Sequence, residues 1–183
     1  IQTLQSQKAV HPTLFIHPNA ARQLHLPSGA LHLAFGSNVL TVHVLPHTSA
    51  THQLLVAKTT ANALMLPDGI ELYGTYLKKR RLLKLAPLIG IMVSEKEVSE
   101  NASDKFGPLT SFCQEISRAG RSKAALVYIF SIDQYKSEHA SIEGWVLKNN
   151  QWSRQRFPLP DIIYNRLTSR SHESRPEVQA KIY

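Results

Sequence analysis

Two kinds of hydrophobic pattern divide this chain. Before residue 87, short segments predict strands, and several of them alternate apolar and polar residues, as half-buried strands do; they are TLFIH, ALHLAFG, LTVHVLP and HQLLVAK. Beyond it, LIGIMVS (88–94) and AALVYIFS (124–131) are continuous apolar runs, which is typical of strands buried on both faces. We therefore predict a domain over 1–86 and a second over 87–170, with 171–183 as a linker and the start of a helix.

A weak repeat with an offset of 40 residues lies in the first domain. AARQLHLPSGALHL (20–33) aligns with TANALMLPDGIELY (60–73), and each copy predicts a short helix, a Pro-x-Gly turn and a strand. Asn19 is the predicted N-cap of the first helix. Two such units are too small to bury separate cores, so we predict that residues 12–86 interlock as one closed, six-stranded, double-psi-like β-barrel. The coinciding pairs are Ala21/Ala61, Leu24/Leu64, Leu26/Leu66, Pro27/Pro67 and Gly29/Gly69.

The second domain changes from alternation to a strand–helix–strand pattern. Residues 108–123 predict a helix with an apolar stripe that includes Phe112 and Cys113, and Gly120 is its predicted C-cap. Residues 141–157 alternate around KNNQ, which indicates a β-hairpin, and DIIYNR makes a further strand. A strand, a helix and a strand without a hairpin between them predict a parallel pair with a right-handed crossover. The overall fold class is therefore mixed α+β: a small barrel followed by a small α/β domain.

Positive charge is concentrated in the first half. The formal net charge is +8, and eight Lys or Arg residues against two acidic residues precede residue 88. Five of these bases are in KKRRLLK, and such a run can attract nucleic acid or an acidic protein surface. A solvated strand edge explains the run equally, because basic side chains protect edges from pairing and no aromatic residues alternate with these charges. The five bases are Lys78, Lys79, Arg80, Arg81 and Lys84.

Several kinds of catalytic site have no support in the sequence. Of nine histidines, seven lie before residue 53, without an HExxH motif or a paired cysteine, so we interpret them as barrel surface residues rather than metal ligands. Cys113 is the single cysteine, which favours a reducing cytoplasmic setting and a buried, inert thiol. There is no GxSxG, GxGxxG or P-loop motif, and no apolar run reaches the ~18 residues of a membrane span. We expect this chain alone to have no catalytic residues and no cofactor.

Four segments resemble the YheC/YheD family, endospore coat-associated proteins of ATP-grasp type. They are LAPLIGIMVSEK (85–96), FGPLTSFCQEISRAG (106–120), IEGWVLKNNQWSRQRFPLPDIIYNRL (142–167) and the following SRSHES. The resemblance implies a pre-ATP-grasp domain ahead of a nucleotide-binding domain, in a parent that uses ATP and Mg²⁺ to join a carboxylate to an amine. It also implies spore-coat proteins as partners.

The ends of the chain bear on how much of that family is present. The chain starts at Ile1 without Met, and RPEVQAKIY at its other end resembles the first turns of a helix. We therefore expect a piece of a longer protein. The family's ATP-binding lysines and metal-binding carboxylates would then lie in an ATP-grasp domain beyond Tyr183.

The candidate substrate site follows from the ends of two predicted strands. DIIY is predicted as a buried central strand that brings Asn165 and Arg166 to the carboxyl edge of the sheet, where ligand crevices form. Ser94 ends LIGIMVS, so the three residues are predicted to border one cleft. Arg166 can hold a carboxylate or phosphate with two parallel hydrogen bonds, or it can form a salt bridge at a domain seam.

Three functional interpretations remain open at this point. The first is a non-catalytic, substrate-side portion of an ATP-grasp ligase. The second is a basic module that docks an acidic coat partner or, less in keeping with the sequence, nucleic acid. The third is a structural coat component that no longer uses its ATP-grasp ancestry.

Overall fold

The structure, a computed structural model, describes residues 2–4 (backbone only), 11–47, 54–99, 104–135 and 139–167. They form a mixed α+β structure, mostly strands in two sheets, which confirms the fold class at that level. The chain divides into two compact units, Ile1–Ala86 and Pro87–Tyr183. The linker and helix predicted over 171–183 lie outside the described residues.

The first unit contains a seven-stranded sheet and two short helices. Its strands are β1 (Gln2–Leu4), β2 (Thr13–Ile16), β3 (Gly29–Phe35), β4 (Asn38–Pro46), β5 (Leu54–Ala57), β6 (Gly74–Leu77) and β7 (Leu82–Leu85), and its helices are α1 (Pro18–Gln23) and α2 (Lys58–Leu64). The strand order is β1-β5-β2-β4-β3-β7-β6, and the sheet is curled into a half-barrel.

Alternation along these strands separates the core from the surface. Leu31 and Leu33 of β3 are buried while His32 between them is exposed, because successive side chains point to opposite faces of a strand. On β4, Val42 is buried and His43 is exposed in the same way. The interpretation of His32 and His43 as outward-facing residues is confirmed.

The first helix begins earlier than predicted. Its N-cap is His17 and not Asn19: His17 has an extended backbone (φ −64°, ψ 135°), and its ring Nδ1 accepts a hydrogen bond from the Asn19 N–H at 3.2 Å. Pro18 explains the shift, because its fixed φ suits the first helical position and its missing N–H is not needed there. The histidine ring here accepts the hydrogen bond that a shorter polar side chain usually accepts at an N-cap.

The 40-residue repeat recurs in the backbone where the two helices end. His25 follows α1 and Met65 follows α2, and both have left-handed φ angles, 51° and 57°. Gly29 and Gly69, again 40 residues apart, have φ angles of 91° and 64°. Left-handed backbone is unusual for a residue such as Met, so its recurrence at equivalent positions indicates that both copies make the same turn.

The pairing of β2 with β5 also relates the two copies. The strands are antiparallel, and Phe15 lies opposite Leu55, its equivalent 40 residues later. The copies then diverge, because β3 begins at Gly29 whereas β6 begins only at Gly74, five residues after Gly69.

The described part of residues 12–86 contains six strands, β2 to β7, which is the number predicted. Gln2–Leu4, a segment too short to show a hydrophobic period, adds a seventh strand parallel to β5. Among the described residues, β1 and β6 are the two ends of the ladder and no pairing joins them. Closure of the half-barrel into a double-psi barrel therefore stays a prediction.

The second unit contains a five-stranded sheet and one longer helix. Its elements are β8 (Leu88–Val93), a 3-10 turn (Gly107–Leu109), α3 (Thr110–Ser122), β9 (Leu126–Ser131), β10 (Ser141–Lys148), β11 (Gln151–Pro158) and β12 (Ile162–Asn165). The order is β11-β10-β9-β8-β12, with β8 parallel to both β9 and β12, and with the β10–β11 hairpin antiparallel to β9. The predicted parallel pair and hairpin are both present.

The helix of this unit covers one face of its sheet. Its Cys113 is fully buried in a cluster with Phe106, Ile91, Ile129 and other apolar residues from the 3-10 turn and the strands. The predicted C-cap at Gly120 is wrong, because α3 continues to Ser122 and its C-cap is Lys123. Gly120 is required for packing instead: a Cβ there would lie 2.5 Å from Cγ2 of Val127.

The hairpin turns through Asn149 and Asn150, whose φ angles are 49° and 61°. Positive φ at both central residues is the geometry of a two-residue type I′ turn, which asparagine tolerates better than most residues. The KNNQ prediction is thereby confirmed.

The prediction that DIIY forms a buried central strand is wrong. Among the described residues β12 pairs only with β8 and lies at the edge of the sheet, with Ile162 57% exposed and Tyr164 51% exposed. A count of apolar residues cannot distinguish an edge from a centre, because that position depends on which distant strand is the pairing partner.

Candidate functional site at the carboxyl edge of the five-stranded sheet

The carboxyl ends of three parallel strands meet at one edge of the second unit. Met92 of β8 is opposite Asn165 of β12, and the Arg166 N–H donates to the Met92 carbonyl at 2.9 Å. On the other side, Val93 is opposite Ser131 of β9. The structure therefore brings Ser94, Asn165 and Arg166 to the same edge of the sheet, where loops at strand ends commonly form ligand sites.

Ser94 is engaged in a local capping box. Its hydroxyl accepts from the Glu97 backbone N–H, and the Glu97 carboxylate accepts from the Ser94 N–H at 2.9 Å. The side chain is buried as well. This reciprocal pair fixes the 3-10 turn Glu95–Glu97 that follows β8, so Ser94 shapes the edge rather than presenting a hydroxyl to it.

Arg166 is half-buried against the start of α3. Its guanidinium carbon lies 5.5 Å from the centroid of the Phe112 ring, close enough for a cation–π contact. Within the described ranges, no salt bridge involves this guanidinium. This contact holds the guanidinium near the aromatic ring, and the planar group can form a two-point contact with a carboxylate or phosphate.

Asn165 acts on the backbone beside it. Its side-chain oxygen accepts from the Leu167 N–H at 3.0 Å, which turns the chain directly after β12. The chain therefore leaves the line of β12 at Arg166. The sequence-predicted residues thus have distinct tasks: Ser94 and Asn165 shape the edge, and Arg166 supplies its positive charge.

Sequence reasoning missed an acidic residue at the same edge. Asp133 follows β9, is exposed, and accepts hydrogen bonds from the Ser131 hydroxyl and, at 2.6 Å, from the Gln134 amide. The sequence carries a signal for this residue, because Ser131 ends the apolar run AALVYIFS in the same way as Ser94 ends LIGIMVS, and Asp133 follows two positions later. Glu97, Asp133 and Arg166 thus follow the ends of three neighbouring parallel strands, so this edge carries charges of both signs.

Cys113 lies next to this edge without being part of its chemistry. The thiol is fully buried, as predicted. The pKa of the Cys113 thiol is raised to about 12, chiefly by burial and also by the Glu97 carboxylate, while the Arg166 guanidinium acts in the opposite direction. The thiol therefore stays protonated at neutral pH and is not a nucleophile.

The basic run of the first unit divides into two groups. Lys78, Lys79 and Arg80 form an exposed 3-10 turn between β6 and β7. Arg81 has a left-handed φ of 47°, and its guanidinium donates to the Ala30 carbonyl at 2.8 Å, while Lys84 is half-buried on β7. Residues 78–81 are therefore all exposed, and Arg81 differs from the other three because its guanidinium is held at the Ala30 carbonyl.

The histidines of the first unit come together in pairs. The rings of His11 and His43 are 6.3 Å apart between centroids, and those of His17 and His47 are 6.4 Å apart. In the part of the chain that the structure describes, no group of three or more His, Cys, Asp or Glu residues is placed to hold a metal ion. His52 lies outside the described residues.

Comparisons with known proteins identify one similar chain. Endospore coat-associated protein YheD of Bacillus subtilis (strain 168) is 26% identical over 166 residues, which cover 91% of this chain and 35% of that protein. The chain thus spans about a third of the relative's length. No family model matches, and no solved structure matches. No helix among the described residues is long and apolar enough to cross a membrane. The likeness to YheD extends over nearly the whole chain, and it supports the assignment of this protein to the YheC/YheD family.

Proposed function

We propose that this chain is the N-terminal, non-catalytic portion of a YheC/YheD-like ATP-grasp protein with a spore coat-related role. Its similarity to a coat-associated protein nearly three times as long supports this proposal. In that arrangement the ATP and Mg²⁺ sites belong to a further domain of the parent. The chain contributes the surface that faces the substrate of an ATP-dependent carboxylate–amine ligase.

The single observation that carries this proposal is the placement of Arg166. Its guanidinium makes a cation–π contact with Phe112 and has no salt bridge among the described residues, at an edge that also carries the Asp133 carboxylate. A guanidinium held in this way neutralises the carboxylate of an acceptor substrate, and a nearby carboxylate attracts its amine. The ATP-grasp domain would close over this edge and exclude water.

We also propose that the first unit is a double-psi-like barrel. The matching left-handed turns at His25 and Met65, and the pairing of Phe15 with Leu55, support a duplicated origin. Such a barrel would serve as a compact base for the parent rather than as a catalytic unit.

The test of the ligase proposal uses the full-length parent protein. Purified parent is incubated with ATP, Mg²⁺ and candidate carboxylates and amines, and mass spectrometry follows ADP and a product whose mass equals the two substrates less one water. ADP formation that depends on both substrates supports the proposal. ATP that remains intact with every pair would instead favour a structural coat component.

A second candidate function follows from the exposed turn Lys78–Arg80. Three adjacent, exposed cations in a turn that contains no acidic residue fit a module that docks an acidic coat protein, or nucleic acid. The salt dependence of such binding distinguishes it from the ligase proposal, because counterion release makes electrostatic binding fall steeply with added salt.

A further inference from the structure

A pocket of about 340 Å³ lies at the end of the second unit opposite to the carboxyl edge. It is formed where the last turns of α3 approach the β10–β11 turn. Its wall is made of Ser117, Arg118, Arg121, Ser122, Leu147 and Asn150. Neither the sequence motifs nor the proposed ligase function uses these residues.

Both arginines of the pocket are anchored to the hairpin. An Arg118 Nη donates to the Asn150 side-chain oxygen at 3.2 Å, and an Arg121 Nη donates to the Leu147 carbonyl. Both side chains are exposed, and because each guanidinium has five N–H donors, one such bond orients it and leaves most of its donors available. The pocket therefore presents two guanidinium groups that are already oriented by the hairpin.

In the described part of the chain, neither charge forms a salt bridge with an acidic side chain. Among the described residues the salt bridges are those of Glu143 with Arg154 and Arg156, and neither involves the pocket. Arg118 and Arg121 are three residues apart on α3 and so lie on the same side of the helix. Two like charges held near each other without a counter-ion favour the binding of an anion.

The end of a helix normally disfavours an anion, because its free carbonyls carry partial negative charge. Here three of the last four carbonyls of α3 accept hydrogen bonds. The Ala119 and Gly120 carbonyls accept from the Lys123 N–H at 3.2 Å and 3.0 Å, and the Arg121 carbonyl accepts from the Ala124 N–H at 3.1 Å. The guanidinium charges thus dominate the pocket.

We propose that this pocket binds the phosphate group of a small molecule. A phosphate dianion matches two guanidinium groups in charge, and its oxygens accept the paired N–H bonds that an arginine fork donates. Leu147 forms an apolar wall, and the volume leaves room for an organic portion beside the phosphate. The site is independent of the proposed ligase function, since it lies at the other end of the sheet.

The test is an NMR titration of the ¹⁵N-labelled 183-residue chain at constant ionic strength. The probes are inorganic phosphate, phenyl phosphate and acetate, with chloride as the balancing ion. Inorganic phosphate should produce saturable amide shifts centred on Arg118, Arg121 and Asn150, whereas acetate should not saturate. Tighter binding of phenyl phosphate would assign the site to an organic phosphate, and equal binding would assign it to free phosphate.

Two variants locate the binding. Arg118→Gln loses only a bond between side chains, and we expect phosphate affinity to fall about tenfold or more with little change in melting temperature. Arg121→Gln should weaken binding similarly, and the exposed Arg80→Gln serves as the unaffected control. Absence of saturable phosphate shifts, equal saturation by acetate, or full affinity in both variants would each overturn the proposal.

Discussion

Gly144 of β10 lies close to a backbone oxygen and an aromatic ring of β9. A Cβ on Gly144 would approach the Ile129 carbonyl oxygen to 2.6 Å and Cδ2 of Tyr128 to 2.7 Å. The neighbouring oxygen belongs to the backbone of a central strand and cannot move aside. Gly144 therefore allows the Tyr128 ring to lie against the sheet, where it stacks on Phe157 with 4.4 Å between ring centroids.

Gly144→Ala should consequently destabilise the second unit. Overpacking against a rigid neighbour costs about 1–3 kcal/mol, so the urea midpoint should fall clearly below that of the natural protein. Ser153→Ala, on the exposed side of the adjacent β11, is the matched control and should change stability little. Equal midpoints for the two variants would show that the sheet shifts to accommodate the methyl group.

Arg166 offers a second test at the scale of one residue. Arg166→Lys keeps the positive charge but loses the planar fork and its stacking on Phe112. In the full-length parent, substrate-stimulated ATP turnover should fall about tenfold, as expected for loss of a charged hydrogen bond. Melting temperature should hardly change, and Arg156→Lys on β11 is the control for a conservative change elsewhere. If Arg166→Lys unfolds the protein, Arg166 is a structural residue at a domain seam.

At the scale of the elements, the hydrophobic period and the turn residues correctly predicted those strands and turns that depend on residues close in sequence. The hairpin through Asn149 and Asn150, and the buried pair β8 and β9, follow from such local signals. The errors arose where a distant contact decides. Gly120 resembles a helix end, yet it lies inside α3 because Val127 packs against it.

The candidate site shows the same division. Polar residues after apolar strands correctly predicted that Ser94 and Arg166 would share the carboxyl edge, because parallel strands bring those ends together. The edge position of β12 and the stacking on Phe112 could not be predicted, since both depend on how the strand and helix pack. Whether this edge binds a substrate stays a prediction.

The turn Lys78–Arg80 is a surface element whose role its own substitutions can test. Replacing Lys78, Lys79 and Arg80 with Ser should leave the free energy of unfolding within about 0.5 kcal/mol, because all three side chains are exposed. Arg81→Ser is the contrast and should destabilise the first unit, since Arg81 donates to the Ala30 carbonyl. The hypothesis that this turn is only a solvated strand edge would be contradicted by two results together: the natural sequence binds DNA or RNA with a steep salt dependence, and the triple variant does not bind.

At the scale of the whole molecule, two buried and weakly acidic side chains, the Cys113 thiol and the Tyr128 phenol, make the free energy of unfolding depend on pH in the alkaline range. Burial raises the pKa of Cys113 from 9.0 to about 12, and burial, then the nearby Tyr135, raises that of Tyr128 as well. The folded state therefore keeps protons that the unfolded chain releases. This contribution to stability is complete below pH 9 and is lost as pH rises above it.

The urea midpoint of the second unit should accordingly fall between pH 8 and pH 10.5. Cys113→Ala removes one of the two groups, so its midpoint should fall less over the same interval, although it starts lower at pH 8 because a buried sulfur is lost. Identical pH profiles for the variant and the natural sequence would exclude Cys113 as a source of the dependence.

The pairing of β2 with β5 has a consequence for assembly. Phe15 faces Leu55, and the flanking pairs Leu14–Val56 and Ile16–Leu54 exchange places when each residue is advanced or set back by 40 positions. A local dyad axis therefore runs between Phe15 and Leu55, and each strand presents the other with the same kind of edge. A junction of this form does not distinguish a partner strand in its own chain from the equivalent strand of another molecule, which is the geometric condition for domain swapping.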